Sequence, residues 1–185
     1  AVHRMTRRLD DDPYGDVRWG ILTGYEAADA LRIAKHREPL AVRRFAAGCG
    51  FDVSMFVEGI EFSEREPGVA WEKKPGGNRT RRSCPRDATE SLVRTLTEFR
   101  PDYFMTSGHA STRDWQIGYR FRSGQFLCRD GQLYGRDLAG RRFDVRSPNP
   151  KIYTCSGNCL MGLVDGKQAM ALAWMRSAGV HQMVG

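Results

Sequence analysis

Short apolar runs that stop on small residues alternate with stretches of helical periodicity, and this alternation constrains the fold more than any other feature of the chain. The runs cover residues 17–25 (VRWGILTGY), 51–59 (FDVSMFVEG), 101–108 (PDYFMTSG), 149–157 (NPKIYTCSG) and 180–184. Each has the length and closing turn signal of a buried strand. Between them, residues 26–36 place Ala27, Ala30, Leu31 and Ala34 at helical spacing. A second helical stretch runs from Pro39 to about Ala47 and stops at Gly48 and Gly50. Residues 87–99 start on Asp87 with Glu90 three positions on, a capping-box pattern, and bury Leu92, Val93, Leu96 and Phe99. Residues 165–179 carry Ala169, Leu172, Ala173 and Met175 on one side and close on Gly179. Strand-helix alternation of this kind predicts an α/β domain with a mostly parallel sheet covered on both faces.

Two regions depart from the rhythm. Residues 60–85 read as a loop, and the stretch 73–86 (KKPGGNRTRRSCPR) combines Gly, Pro and charge, the composition of a mobile segment open to proteolytic nicking. Residues 115–146 alternate aromatic or apolar with polar residues and carry Ser123-Gly124, Asp130-Gly131 and Ala139-Gly140 at regular intervals. That pattern predicts β-hairpins inserted before the next core strand. Residues 1–16 are polar and read as an N-terminal extension of a domain spanning 17–185. The chain starts without Met and stops inside a strand, so it reads as a piece of a longer protein whose domain is truncated at its C-terminus.

Charge and cysteine content narrow the function classes. The net charge of +7 permits nucleic-acid binding, but the basic residues are scattered beside turns, which reads as a solvated surface rather than a nucleic-acid face. No stretch approaches the ~18 apolar residues of a membrane helix. The five cysteines are odd in number and form no C-x-x-C pair, which argues against both a closed disulfide framework and a structural zinc site.

In parallel sheets, ligands gather at the carboxyl ends of strands. Two of these ends carry chemistry: His109 follows Ser107-Gly108, and Cys155 and Cys159 flank Gly157. A thiol becomes a useful nucleophile when a base at the mouth of a neighbouring strand can take its proton. His109 and Cys159 are 50 residues apart. Small residues around both, with backbone N–H groups near Gly108 and Gly157, suit an oxyanion site. Cys159 lies beyond the Gly157 turn and is the favoured nucleophile. Cys155, at the strand end, is the alternative and otherwise reads as a buried small hydrophobe. His36 and His181 read as surface or structural residues.

TSGHAS (106–111) followed by PKIYTCSGNCLMG (150–162) resembles the caspase-like cysteine peptidases, the group of caspases, legumains, clostripain and gingipains. CSGNCLMGLVDGKQAMALAWMRSAGVHQMVG is most similar to the gingipain branch, where a Cys-bearing turn precedes a helix and a further core strand. The resemblance is firm over residues 102–110 and 150–185, loose over 18–52 and absent over 115–145. It implies a three-layer sandwich with flavodoxin-like strand order, a Cys-His dyad acting on polypeptide substrate, and no cofactor or metal. By analogy with the family's acidic third residue, Asp114 is the candidate for orienting His109. The resemblance is compatible with a secreted or cell-envelope parent. Two positions depart from the family pattern: Ala110 stands where a glycine usually follows the histidine, and there are two cysteines where the family has one. Against the peptidase reading stand an interaction module that keeps the fold without activity and, third, a basic nucleic-acid-binding domain.

Overall fold

The computed structural model describes residues 20–48, 62–66, 70–73, 87–117 and 124–185. The strand expected over 51–59 and the basic stretch 74–86 lie outside the described residues. The elements, in chain order, are α1 (Ala27–Lys35), β1 (Arg44–Ala47), β2 (Phe62–Glu66), β3 (Ala70–Lys73), α2 (Thr89–Arg94, continued by a wider π-helical turn Thr95–Phe99), β4 (Tyr103–Thr106), β5 (Asp114–Gln116), β6 (Gln125–Arg129), β7 (Gln132–Arg136), β8 (Arg142–Asp144), β9 (Lys151–Cys155), α3 (Met170–Ser177) and β10 (Val180–Val184).

Two sheets organise them. The first has the order β10-β9-β4-β1-β3-β2, and the second, antiparallel throughout, has the order β5-β6-β7-β8. In the first sheet β1, β4, β9 and β10 are parallel neighbours, and β3 and β2 extend it as an antiparallel hairpin. The chain is therefore α/β, with a four-stranded parallel sheet and a separate antiparallel sheet. The parallel strands stand in chain order, so the described residues do not contain the order reversal of a flavodoxin-like sheet. The hairpins expected over 115–146 form the second sheet.

Helix α3 shows how the sheets are joined. Met170 to Met175 are all buried, which a helix lying on one sheet with a single apolar stripe would not produce. Trp174 accounts for it. Its ring lies 4.3 Å from Tyr153 of β9 and 5.4 Å from Phe104 of β4 on one side, and 6.0 Å from Phe126 of β6 on the other. The helix is thus held between the two sheets, and truncating Trp174 to Ala would cost about 3–5 kcal/mol. On the face that α3 covers, the antiparallel sheet lies beyond the helix.

Other corrections concern local elements. The described part of the first expected strand, from Gly20, has no strand pairing, and Ile21 and Leu22 are exposed. Gly24 instead leads closely into α1, where a Cβ would meet Asp29 and the Ala30 amide. Helix α1 forms as expected but buries no residue; Leu31 is exposed, and Arg32 attaches the helix by donating to Met175 O and to His181 Nε2, each at 2.7 Å. The second expected helix is not there. Arg44–Ala47 is a central strand, because it pairs with β4 on one side and β3 on the other, and Phe45, Ala46 and Ala47 are all buried there. Asp102 secures that pairing by accepting from the Arg43 and Arg44 amides, each at 3.0 Å. The expected loop 60–85 contains β2 and β3. At α2 the capping box does not form; Ala88 is the N-cap, and the Asp87 carboxylate accepts instead from the amides of Thr89 and Leu138.

The last turn of α3 is followed by Gly179 at φ +71°, as its C-terminal position requires. The fully buried Lys151 ammonium is held there by Ser147 Oγ at 3.0 Å, by Asn149 O at 2.9 Å and by Ala178 O.

Candidate functional site

β4 and β9 are adjacent and parallel, with Thr106 opposite Cys155. The ladder continues one step, as the Ser156 amide donates to Thr106 O at 3.1 Å. The chain then leaves both strands at the same sheet edge. His109 is the third residue past β4, and Cys159 is the fourth past β9. Both are exposed, and no hydrogen bond joins them to each other.

The backbone beneath His109 is held at three successive carbonyls. Ser107 O accepts from Trp115 Nε1 at 2.8 Å, Gly108 O from Asn158 Nδ2 at 3.2 Å, and His109 O from the Gln116 amide at 2.9 Å. Gly108 sits at φ +105°, a conformation that an L side chain rarely adopts, so glycine is required here by the backbone turn. Ala110 then pairs with Trp115, half-buried against the core.

On the other loop, Ser156, Gly157, Cys159 and Leu160 are exposed, while Asn158 and Met161 are buried. Gly157 is at φ +71° in open space. Leu160, directly after the thiol, is at φ +58°, a left-handed conformation that costs a leucine about 1–2 kcal/mol. The backbone N–H groups of Gly108 and Cys159 make no hydrogen bond to any described residue.

Asn158 ties the loops together. Its Oδ1 accepts from Thr106 Oγ1 at 2.9 Å while its Nδ2 donates to Gly108 O. Thr106 Oγ1 also lies 2.7 Å from Tyr153 Oη. Tyr153 is fully buried, and burial raises its pKa well above the usual phenol value, so its O–H stays a donor.

The two remaining sequence candidates lie elsewhere. Cys155 is 3% exposed, its thiol donates to Val184 O at 3.4 Å, and burial raises its pKa. Asp114, on β5, accepts from the Ser111 hydroxyl at 2.8 Å and forms no hydrogen bond or ion pair with His109. Among the described residues there is no group of three or more His, Cys, Asp or Glu placed to hold a metal ion, and no helix is long and apolar enough to cross a membrane. A cleft of about 400 Å³ lined by Gln132, Arg146, Ser147, Pro148, Arg176 and Ser177 lies near the amino end of β9, away from His109 and Cys159.

Sequence reasoning found the two strand ends but missed Asn158, Thr106 and Tyr153. Asn158 directly precedes the favoured cysteine, yet nothing in a lone asparagine tells which distant groups it bonds. Comparison of the chain with protein-family models, with curated proteins and with solved structures finds no match.

Proposed function

We propose that this chain is a cysteine endopeptidase domain with a caspase-like three-layer arrangement, similar to the gingipain branch, acting on polypeptide substrates through His109 and Cys159. The observation that carries the reading is the placement of an exposed imidazole and an exposed thiol on the loops that leave two adjacent parallel strands at one edge. The backbone N–H groups of Gly108 and Cys159, which make no hydrogen bond to any described residue, are the candidate oxyanion donors of this reading.

In this reading His109 takes the thiol proton, and the Cys159 thiolate attacks the substrate carbonyl carbon. The tetrahedral oxyanion collapses to a thioester as His109 returns the proton to the leaving amine. Water, deprotonated by His109, then hydrolyses the thioester and restores the thiol. No cofactor or metal takes part. Cys155 is disfavoured as nucleophile because burial opposes its thiolate. Asp114 is engaged by Ser111 and is not needed for a dyad.

The test is substitution. Cys159→Ala is expected to abolish peptide hydrolysis and labelling by a thiol-directed peptide probe. Labelling that persists in Cys159→Ala and vanishes in Cys155→Ala moves the nucleophile to Cys155.

A second reading, an inactive interaction module with the same fold, is favoured by one observation: the imidazole and the thiol share no hydrogen bond. It predicts no turnover of any peptide and Cys159 alkylation at the same rate with and without His109. A basic nucleic-acid-binding domain is the third reading, and it predicts DNA retention that falls steeply with salt.

A further inference from the structure

Resting on the Cys-His reading, we infer that Asn158 is a positioning residue that sets the geometry of His109 and Cys159 together. The inference comes from the direction of the hydrogen bonds. Gly108 O can only accept, so the Asn158 amide nitrogen must face it and the amide oxygen must face Thr106. Thr106 therefore donates to Asn158 and accepts from Tyr153. The chain of bonds runs one way, from the buried phenol to the carbonyl that immediately precedes His109.

Asn158 is 8% exposed and is the residue directly before Cys159. One side chain thus ties the cysteine loop to the peptide unit from which the histidine emerges, and to the last residue of β4. A movement of either loop by about 1 Å breaks one of its two bonds, and misplacement of that size in a reacting pair can cost about 100-fold in rate. An aspartate here could still accept from Thr106 but would present a carboxylate oxygen to a carbonyl oxygen. A glutamine would overreach. The position calls for asparagine.

The experiment measures the alkylation rate of Cys159 by chloroacetamide as a function of pH, with the site of modification read by mass spectrometry. The variants are His109→Ala, Asn158→Ala, Thr106→Val, Thr106→Ser and Tyr153→Phe. In the wild type the rate near pH 7 is expected to exceed that of His109→Ala by about tenfold, as a neighbouring base raises the reactive thiolate population. Asn158→Ala and Thr106→Val are expected to follow His109→Ala. Thr106→Ser, which keeps the hydroxyl, is expected to follow the wild type. Tyr153→Phe removes a buried hydroxyl from the same network and lowers thermal stability, but it leaves both Asn158 bonds intact and is expected to keep the wild-type profile. That separates positioning from general destabilisation. If His109→Ala changes the profile and Asn158→Ala and Thr106→Val do not, the role of Asn158 is overturned and the Cys-His reading stands. If His109→Ala leaves the profile unchanged, the Cys-His reading falls, and the inference with it.

Discussion

The three described thiols sit in environments different enough to be told apart by alkylation. When the folded chain is treated with iodoacetamide near pH 7.5, ionisation and access act together. Cys128 is half-buried with its thiol against Gln168 O at 3.0 Å, and burial pushes its pKa up to about 11, with the Arg113 guanidinium opposing only in part. An ordinary thiol with a pKa of about 8.5 is roughly one-tenth thiolate at this pH, whereas one near 11 is ionised in about 3 molecules per 10,000. Ionisation alone therefore slows Cys128 about 300-fold relative to an ordinary thiol. Cys155 adds a barrier of access: it is 3% exposed beneath the β9–β10 edge, and its thiol is donated to Val184 O. It reacts only when that edge opens locally. Cys159 is exposed, so access does not limit it. The expected outcome is that Cys159 is modified at least about 100-fold faster than Cys128 or Cys155, with the difference collapsing to a few-fold in concentrated guanidinium. Cys155 and Cys159 are separated by peptide fragmentation. Modification of Cys155 in the folded chain as fast as Cys159 would refute the reasoning, because it would mean that the strand bearing Cys155 does not shield it.

Three further outcomes follow from the geometry. Burial pushes the Lys151 ammonium down to about 7, with Asp102 pulling the other way. Between about pH 7 and the ordinary lysine value near 10.4, the unfolded chain holds a proton that the folded one has released, so stability rises with pH across that window, by at most about 1.4 kcal/mol per unit; Lys151→Met is expected to remove the rise, as read from urea midpoints at two pH values. His181 accepts from Arg32 at Nε2, and burial, then Arg32, then His36 and Lys151 push its pKa down to about 4. The folded chain then binds fewer protons than the unfolded one between about pH 4 and 6.5, so stability is complete above that window and is lost as the pH falls through it; solvent screening limits the effect to about 1 kcal/mol, and His181→Gln should abolish it in thermal melts. Because the Asp114 carboxylate is taken up by Ser111, Asp114→Asn is expected to leave the alkylation profile of Cys159 unchanged, and a shift toward that of His109→Ala would give Asp114 the orienting role that its contacts deny it.

The parts of the fold legible in the sequence are those decided locally. PDYFMTSG and NPKIYTCSG read as strands because apolar and β-branched or aromatic residues run into Ser-Gly, and both are strands. The hairpin region was equally readable from its alternation and its Gly-bearing turns. What escaped was decided at long range. Phe45-Ala46-Ala47 is helical by propensity and is a strand because β3 and β4 pair with it from both sides. FSERE carries the charges of an edge strand, which hide its period, and it stands at the edge of the first sheet. The position of the antiparallel sheet depends on Trp174, and a tryptophan in a helix does not announce that aromatic rings approach it from both sides.

The same division runs through the candidate site. Residue type and order along the chain were enough to nominate His109 and Cys159, because chemistry is carried by side chains and parallel strands in chain order bring their carboxyl ends together. They could not distinguish a working histidine from a surface one. Exposure does not separate the two, since an imidazole on any loop is exposed. The backbone at the proposed base is held closely: three successive carbonyls at Ser107, Gly108 and His109 each accept a hydrogen bond, from an indole, an amide side chain and a strand amide at three separate positions. Those donors lie 7 to 50 residues away in sequence, and none is chemically unusual, so no motif could have named them. Such support gives a reactive group a defined place without burying it. Asn158→Ala removes one of these three supports, and Thr106→Val removes the bond that orients Asn158, while both leave His109 and Cys159 untouched.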